Sequence, residues 1–290
     1  VLYLIAFFTL GPQVRVALLF AFVSYAWRFW QPILQLSNLY NTFINAVAYL
    51  ERIFEMIDEP VTIDDAPDAY ELPPITGAVQ FDHVTFSYDG SVNVLENLNL
   101  DIQAGESIAL VGPTGAGKTT IVNLISRFYN VNEGAVKLDG HDISKVTLHS
   151  LRSQMGIMLQ DSFIFSGTIL DNIRYGRLDA TEEEIIAAAK TVRAHDFIME
   201  MEDGYHTQVN ERGSRLSQGQ KQLIAFARTL LSDPRILVLD EATSSIDAKT
   251  ERLLQEGLQA LLKGRTSFII AHRLSTIKNC DRIMYVRDKG

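Results

Sequence analysis

The chain has 290 residues and a net charge of −9, and 47% of its residues are hydrophobic. This length suits one large domain or two smaller ones, and the hydrophobic content is ample for a core. The acidic charge argues against a general nucleic-acid binder, which would carry a basic face, so we expect no nucleic-acid partner. The single cysteine, Cys280, excludes an internal disulfide framework and a multi-cysteine metal site.

The first thirty residues are the most apolar part of the chain. Residues 1–10 and 16–30 form two apolar runs that a Gly-Pro turn separates, and Ser24 and Arg28 interrupt only the second. Neither run alone reaches the roughly 20 residues that a membrane-spanning helix needs. Together they are typical of the end of one spanning helix, a turn and the start of another. The alternative is a buried helical hairpin in a soluble protein.

The second of these helices is predicted to continue to residue 57. Apolar residues recur three and four positions apart along a packing seam at Leu36, Leu39, Phe43, Ala46, Leu50, Ile53 and Ile57. Residues 58–77 then hold four of the eight prolines and six acidic residues, with no helical seam. This composition predicts a linker and therefore a domain boundary between residues 1–57 and residues 78–290.

The pattern after the linker changes to strands and helices. Alternating apolar residues predict two strands joined by an Asp-Gly turn: Val84, Phe86 and Tyr88 in the first, and Leu98, Leu100 and Ile102 in the second. Residues 145–231 are mostly helical in pattern, with a capping box from Thr181 to Glu184. Short apolar strands follow at residues 236–239, 267–270 and 283–286. Strands that alternate with helices predict an α/β fold with a mostly parallel sheet, here with an all-helical insertion.

Residues 107–128 join a strand, a glycine-rich loop and a helix. The loop fills every position of the motif G-x-x-x-x-G-K-[ST]: Gly112, Pro113, Thr114, Gly115, Ala116, Gly117, Lys118 and Thr119, followed by Thr120. In this context the motif predicts a phosphate-binding loop, because the glycines let backbone N–H groups converge on an anion at a helix N-terminus. Lys118 is expected to reach the β- and γ-phosphates and the Thr119 hydroxyl to bind magnesium.

A second apolar run, residues 236–239, ends in Asp240 and Glu241. A nucleotide site needs a carboxylate at a strand end near the phosphate loop to hold magnesium, and Asp240 fits that role. Glu241 is then the candidate base that polarises the attacking water. The alternative is an acidic pair that favours the N-terminus of a following helix.

Residues 215–222, with the sequence R-L-S-Q-G-Q-K-Q, resemble the signature sequence of the ATP-binding-cassette (ABC) family, usually written LSGGQ. The resemblance extends from about residue 78 to residue 290, and the family's motifs occur in family order. It implies the P-loop NTPase cassette fold, with a mostly parallel sheet, an antiparallel β subdomain and an α-helical subdomain. It also implies an ATPase that uses ATP and Mg²⁺.

The resemblance also implies roles for individual residues. Tyr88 matches the aromatic residue that stacks on adenine, and Gln160 matches the glutamine that touches magnesium and senses the membrane domain. Asp247 lies in the match to the D-loop, and His272 matches the histidine that contacts the γ-phosphate. Residues 210–213 look like a loop found in exporter members. Taken alone, Tyr88 would more often be a core residue, and His272 would more often be structural.

The signature residues are implied to act across a subunit boundary. In the family, the signature completes the ATP site of the other subunit in a head-to-tail dimer, so Ser217, Gln218, Gly219 and Gln220 are expected to act in trans. Gln218 stands where the family usually has glycine. Taken alone, Ser217 reads as an ordinary helix N-cap, and a capped helix N-terminus also binds phosphate.

Residues 1–57 resemble the end of the fifth and the whole of the sixth transmembrane helix of an exporter-type ABC half-transporter. The resemblance then implies a multi-pass cell-membrane protein with its cassette on the cytoplasmic side, in contact with membrane lipid. Its partners would be a second half-transporter, identical or different, and an exported small molecule, lipid or peptide. Other interpretations remain: a soluble ABC ATPase, an importer cassette, or a regulatory nucleotide-binding module with little catalysis.

Overall fold

The computed structural model describes residues 4–5, 8–9, 16–158, 163–209, 213, 215–240, 248–271 and 274–287. The chain divides into two compact units, Val1–Thr62 and Ile63–Gly290. The predicted division has a separate linker, residues 58–77, between residues 1–57 and 78–290. In the structure, residues 58–62 fall in the first unit and residues 63–77 in the second. The predicted three-part division stays a prediction.

The first unit contains one long helix, α1, over Val16–Ile57. Its 42 residues correspond to a length of about 63 Å. The predicted continuation of the helix to residue 57 is confirmed, and Pro32 lies inside it, where the missing N–H removes one helical hydrogen bond. Large apolar side chains are exposed on α1, among them Phe20, Phe22, Tyr25, Trp27, Phe29, Trp30, Leu36, Leu39, Phe43 and Tyr49.

By length, hydropathy and charge, none of the helices in the described part of the chain qualifies as a membrane span. The transmembrane helices expected within residues 1–57 stay a prediction from the sequence.

The second unit alternates strands and helices. In chain order these are β1 (Val79–Phe86), β2 (Leu95–Ile102), β3 (Ser107–Val111), α2 (Lys118–Ile125), β4 (Glu133–Leu138), β5 (His141–Asp142), α3 (Leu148–Arg152), β6 (Met155–Met158), β7 (Gly167–Thr168), α4 (Ile169–Arg174), α5 (Glu182–Thr191), α6 (His195–Met199), β8 (Gln208–Val209), α7 (Gln218–Leu231), β9 (Ile236–Asp240), α8 (Ala248–Leu262), β10 (Thr266–Ile270), α9 (Leu274–Ile277) and β11 (Arg282–Tyr285). Short 3₁₀ turns lie at Ile143–Lys145 and Gly204–His206.

The larger sheet is parallel, with the strand order β11-β3-β10-β9-β6. Its central strands are buried on both faces, which is why each contains a run of consecutive apolar residues, at 108–111, 236–239 and 268–270. Ile108 and Leu110 face one core and Ala109 faces the other. Because all five strands run in one direction, the carboxyl ends of β3, β6, β9 and β10 lie at the same edge of the sheet, where open α/β sheets bind ligands.

The smaller sheet is antiparallel, with the strand order β2-β1-β4-β5. In β1 the buried residues are Val79 and Phe81, then Val84 and Phe86, because a bulge at the left-handed residue His83 shifts the alternation by one position. The two predicted strands are confirmed, with one difference. Tyr88 lies in the loop beyond the end of β1 rather than in the strand.

The predicted helical insertion is confirmed as far as α4 and α5, which pack against α7, and the Thr181 capping box is present. The sequence did not predict β4, β6 or the short β7–β8 pair. In β6 the residue Gly156 is required by packing, because an added Cβ would lie 2.7 Å from Thr229 and 2.8 Å from Leu237. Such contacts between distant segments have no local pattern.

Residues 63–77, which we call the strap, pack along the cassette. Leu72 and Ile75 are 5% and 4% exposed. The backbone of Tyr70 pairs with that of Val146, and the Ile75 N–H donates to Gln154 Oε1 at 2.8 Å. The proline-rich composition predicts a linker, and the structure gives residues 63–77 no helix and, apart from the bridge at Tyr70, no strand pairing. These residues are nevertheless held against the cassette by the contacts given above.

Asp139 anchors the end of the strap. Its carboxylate accepts hydrogen bonds from the Thr76 N–H, from Thr76 Oγ1 at 2.9 Å, from the Gly77 N–H at 3.2 Å and from the Ala78 N–H at 2.7 Å. Burial alone would raise the pKa of Asp139, but these hydrogen bonds outweigh it and hold the pKa below its ordinary value. Asp139 is itself in a left-handed conformation, with a φ of 48°.

Candidate nucleotide-binding site

The phosphate loop follows β3 at the carboxyl edge of the parallel sheet. Gly112 has a φ of 150°, and a Cβ there would lie 2.1 Å from the Val286 carbonyl oxygen, so only glycine fits at the start of the loop. Gly117 is the N-cap of α2, with a φ of 102°. The two glycines let the chain leave the strand, turn back and enter the helix within the six residues 112–117.

Lys118 holds the loop in a closed shape. Its Nζ donates to the carbonyl oxygens of Gly112 and Pro113, both at 2.8 Å. The side chain is only 9% exposed. The ammonium group is thus largely buried and fixed at the mouth of the loop. An anion that binds there would meet a positive charge that is already held in place.

The N-terminus of α2 carries no side-chain cap. The longer helices α5 and α7 and the short α4 each begin with a capping box, at Thr181, Ser217 and Thr168 respectively. The first N–H groups of a helix have no partner within the helix. At α2 glycine leaves them available to an anion, whereas at the other three helices a side chain satisfies one of them.

The far end of α2 is fixed by two arginines. Arg127 Nη1 donates to the Val146 carbonyl at 2.8 Å, and its Nη2 donates to the carbonyl of Asp64 in the strap at 3.0 Å. Arg152 Nη2 donates to the Arg127 carbonyl at 2.9 Å, and its Nε donates to Ser126 O at 3.3 Å. Cations at the C-terminus of a helix satisfy its last carbonyls and oppose its dipole. The helix that carries Lys118 is therefore held at its far end.

Tyr88 stands beside the phosphate loop, where aromatic neighbours support it. Its ring meets those of Phe86 and Tyr129 nearly edge to face, with centroids 4.9 Å and 5.0 Å away. Its hydroxyl shares a hydrogen bond of 3.0 Å with Thr120 Oγ1. Tyr88 is 49% exposed, so it is not the core residue that its alternation with Phe86 would suggest.

Asp89 stabilises the turn that follows Tyr88. Its carboxylate accepts hydrogen bonds from the Ser91 hydroxyl at 2.7 Å and the Ser91 N–H at 2.9 Å. These bonds, the hydroxyl's first, hold the pKa of Asp89 below its ordinary value. The turn is therefore defined by an ionised carboxylate at neutral pH.

Asp240 is the last residue of β9, which is separated from β3 by the single strand β10. Two strand spacings correspond to about 10 Å. Asp240 and Thr119 line the same cleft. Among the described residues, no group of three histidine, cysteine or carboxylate side chains could hold a metal. Magnesium in phosphate sites is usually held through only one or two protein oxygens together with phosphate oxygens, and a hydroxyl and a carboxylate fit that set.

A cleft of about 380 Å³ brings these groups together. It is lined by Tyr88, Val94, Thr114, Gly115, Gly117, Lys118, Thr119, Thr120, Asp240 and Ile270. Ala116, by contrast, is buried in the core beside the loop. Val94 and Ile270 were not predicted, because an apolar residue at a strand end gives no signal of facing a ligand. Tyr129 was also missed, since its sequence position does not reveal its contact with Tyr88.

The signature residues begin α7. Ser217 is the N-cap, its Oγ accepts from the Gln220 N–H at 3.2 Å, and Gln220 Oε1 accepts from the Ser217 N–H at 2.9 Å. Gly219 is buried, whereas Ser217 is exposed and Gln218 half-buried. The N-cap interpretation is thus confirmed. The predicted action of these residues on another subunit stays a prediction.

Several predicted site residues lie outside the described part of the chain. They are Gln160, Glu241, Asp247 and His272, together with residues 210–212 of the loop before the signature. Their predicted roles rest on the sequence.

The sequence profile of the ABC transporter family matches residues 95–244, just over half of the chain. The chain belongs to the ABC transporter family. The predicted cassette fold is confirmed, and the ABC cassette of this chain is an ATP-binding domain of the ATPase class.

Individual relatives agree with this assignment. An uncharacterised ABC transporter ATP-binding protein of Bacillus subtilis, YknV, is 50% identical over 281 residues, or 97% of this chain and 46% of the relative. An ATP-dependent lipid A-core flippase of Syntrophus aciditrophicus is 47% identical over 265 residues, or 91% of this chain and 44% of the relative. A solved structure of a bacterial Atm1-family ABC exporter with ATP bound matches with a TM-score of 0.76 and 42% identity, over 92% of this chain and 46% of that one. The chain therefore spans less than half the length of these relatives.

Proposed function

We propose that this chain is the C-terminal part of an ABC exporter half-transporter that couples ATP hydrolysis to export of a substrate across a membrane. The observation that carries the proposal is the cleft in which the phosphate loop, Tyr88 and Asp240 converge. Its volume of about 380 Å³ lies in the range of ligand pockets. The similarity to exporters and to a lipid flippase supports the direction of transport and makes a lipid one candidate substrate, beside a drug or a peptide.

In this proposal each of the predicted site residues binds a different part of the nucleotide, its magnesium ion or the attacking water. The N–H groups at the start of α2 and the Lys118 ammonium bind the phosphates, and the Tyr88 ring stacks on the base. Thr119 and Asp240 hold Mg²⁺, together with Gln160. The magnesium ion supplies charge neutralisation on the transferred phosphoryl group. Glu241 polarises the attacking water, and His272 contacts the γ-phosphate.

The active unit is proposed to be a head-to-tail dimer of two cassettes. Ser217, Gln218, Gly219 and Gln220 of one chain would complete the site formed by the phosphate loop of the other, with Asp247 beside it. The exposed Ser217 at the start of α7 supports this role, because a helix N-terminus at the surface can meet a phosphate on a partner. The partner is a second half-transporter, and ATP binding closes the two cassettes on each other.

Residues 1–57 are proposed to belong to the membrane part. The predicted location is a cell membrane, with the cassette on the cytoplasmic side and α1 in contact with lipid or with other helices. Exposed aromatic and aliphatic side chains along α1 support this location, because a helix that is apolar on many sides is usually buried in protein or lipid.

The proposal is tested with Glu241→Gln in the purified, lipid-reconstituted protein. Removing the base should leave ATP binding intact and lower steady-state ATP hydrolysis at least about a hundredfold, which is the range for a lost general base. Glu202→Gln is the matched control, since Glu202 is exposed and does not line the cleft. Hydrolysis near the wild-type rate in Glu241→Gln would remove Glu241 as the base.

Export is tested separately in sealed vesicles with outward-facing cassettes. ATP should drive uptake of a fluorescent lipid or drug into these vesicles, and Lys118→Ala should abolish it. A protein that hydrolyses ATP but moves none of the lipid, drug and peptide probes would contradict the export proposal while leaving the ATPase assignment in place.

A further inference from the structure

Tyr88 is held from three sides by other residues of the cassette. Phe86 and Tyr129 lie against its ring at 4.9 Å and 5.0 Å, with interplanar angles of 84° and 88°. Thr120 Oγ1 shares a 3.0 Å hydrogen bond with its hydroxyl. A tyrosine in a loop is free to change rotamer unless its neighbours prevent it, so these contacts determine where the ring stands.

The hydrogen bond leads directly to the phosphate loop. Thr120 is the third residue of α2, two positions after Lys118, and it is 4% exposed. Its hydroxyl is therefore fixed by the packing of the helix that carries the phosphate-binding groups. The hydrogen bond therefore ties the position of the Tyr88 ring to the first turn of α2, which also carries Lys118.

Tyr129 lies beyond the C-terminal end of the same helix and contacts the Tyr88 ring. It follows α2 by four residues, is 42% exposed, and lies 5.7 Å from the Phe86 ring as well as against Tyr88. An edge-to-face aromatic pair prefers one relative orientation, so Tyr129 restricts the tilt of the Tyr88 ring. Tyr129 does not line the cleft itself.

We propose that the Thr120 hydroxyl and the Tyr129 ring are positioning groups that fix the Tyr88 ring as the platform for the nucleotide base. Because Thr120 belongs to α2 and Tyr129 follows it, the helix that carries the phosphate-binding Lys118 also positions the ring that binds the base. This inference rests on the proposed function, in which Tyr88 stacks on the base. Contacts that already order the ring remove a cost that the nucleotide would otherwise meet, so both groups increase the affinity for ATP. Tyr129 does so without lining the cleft, whereas Thr120 also lines it.

The test compares ATP with tripolyphosphate, which presents the same phosphate chain without a base. Both are titrated by calorimetry into the purified protein, in EDTA so that ATP is bound and not hydrolysed. Thr120→Val keeps the shape and the backbone N–H of Thr120 and removes only the hydroxyl. Tyr129→Leu removes the ring at a partly exposed position. Both variants should weaken ATP binding by about three- to tenfold, the range expected for one aromatic pair.

In Tyr129→Leu the affinity for tripolyphosphate should stay within about twofold of wild type, because Tyr129 does not line the cleft. Thr120 does line the cleft, so in Thr120→Val the loss of ATP affinity should exceed any loss of tripolyphosphate affinity. Tyr129→Phe keeps the ring and should bind ATP as the wild type does. Tyr175→Leu removes an exposed aromatic side chain that does not line the cleft, and it should change neither affinity.

Three outcomes would overturn the proposal. Unchanged ATP affinity in both Thr120→Val and Tyr129→Leu would show that the platform needs neither group. An equal loss of ATP and tripolyphosphate affinity would make them supports of the phosphate loop. Equal affinity of the wild type for the two ligands would mean that no base is stacked. A wild type that binds neither ligand would instead contradict the proposed function itself.

Discussion

The carboxylate of Asp139 offers the sharpest test of how the strap is attached. Its Oδ2 accepts from the N–H and hydroxyl of Thr76, and its Oδ1 accepts from the N–H groups of Gly77 and Ala78. In Asp139→Asn one of these oxygens becomes an NH₂ group that faces two donors, and the other becomes a neutral acceptor. Hydrogen bonds to charged groups contribute about 1.5–3 kcal/mol each, and they are not additive. We therefore expect a loss of about 3 kcal/mol in the free energy of unfolding.

This loss converts into a change in melting temperature. For a unit of this size, 1 kcal/mol corresponds to about 2–4 °C, so Asp139→Asn should melt about 6–12 °C below the wild type at pH 7. The measurement is thermal unfolding followed by far-UV circular dichroism. Asp179→Asn is the control, because the Asp179 side chain is 89% exposed and its ion pair with Arg177 is long, at 3.9 Å. It should shift the melting temperature by no more than about 1–2 °C.

The pH dependence of this difference in melting temperature distinguishes the effect of the charge of Asp139 from the effect of its shape. The pKa of Asp139 is lower in the folded protein than in the unfolded chain, so its contribution is complete above the unfolded pKa of about 4. This stabilising contribution is lost as the pH falls through the pKa of Asp139 in the folded protein. The gap in melting temperature between wild type and Asp139→Asn should thus narrow below about pH 4. Equal melting temperatures at pH 7, or a gap that does not change with pH, would refute the reasoning.

Two further predictions concern the strand that leads into the phosphate loop. Gly112→Ala should lower the free energy of unfolding by about 2–6 kcal/mol in urea titrations, because strain at a φ of 150° adds to the clash with Val286. Gly105→Ala, with a φ of 83° and no atom within 4 Å of the added Cβ, should cost only about 1–2 kcal/mol. Asp281→Asn should cost about 1–2 kcal/mol at pH 7, since Asp281 Oδ2 accepts from Ser107 Oγ at 2.6 Å and from the Ser107 N–H at 2.8 Å. The Ser107 bonds, the hydroxyl's first, lower the pKa of Asp281, so this cost should also disappear at acid pH.

Each of these has a result that would contradict it. If Gly112→Ala is no less stable than Gly105→Ala, the close approach of Val286 does not constrain the loop. If the cost of Asp281→Asn stays constant from pH 7 to pH 3, the bonds to Ser107 do not depend on ionisation.

The parts of the fold that the sequence predicts are those with a local cause. The phosphate loop is recognisable because its function requires glycines and a lysine at fixed spacing. The strands β3, β9 and β10 are recognisable because burial on both faces makes most of their residues apolar. The capping box at Thr181 is equally local, since it needs only the side chains of one helical turn.

The elements that were missed are specified by distant neighbours. In β4 the second residue is Gly134, which has a φ of 80°, and a Cβ there would lie 2.3 Å from the His83 carbonyl oxygen. A glycine at this position is more typical of a turn than of a strand. The platform of Tyr88 depends on Thr120 and Tyr129, which are 32 and 41 residues away in the sequence. Such partners are visible only once the chain has folded.

The strap also decides where a cassette produced on its own has to begin. A protein that starts at Ala78 would lack Leu72 and Ile75 and so expose the apolar surface beneath them. It would also remove the Asp64 carbonyl that accepts a hydrogen bond from Arg127, whose side chain is only 3% exposed when the strap is in place. A protein that starts at Ile63 keeps these contacts. By this criterion a cassette produced on its own should include the strap, although the proline-rich and acidic composition of the strap is typical of a linker.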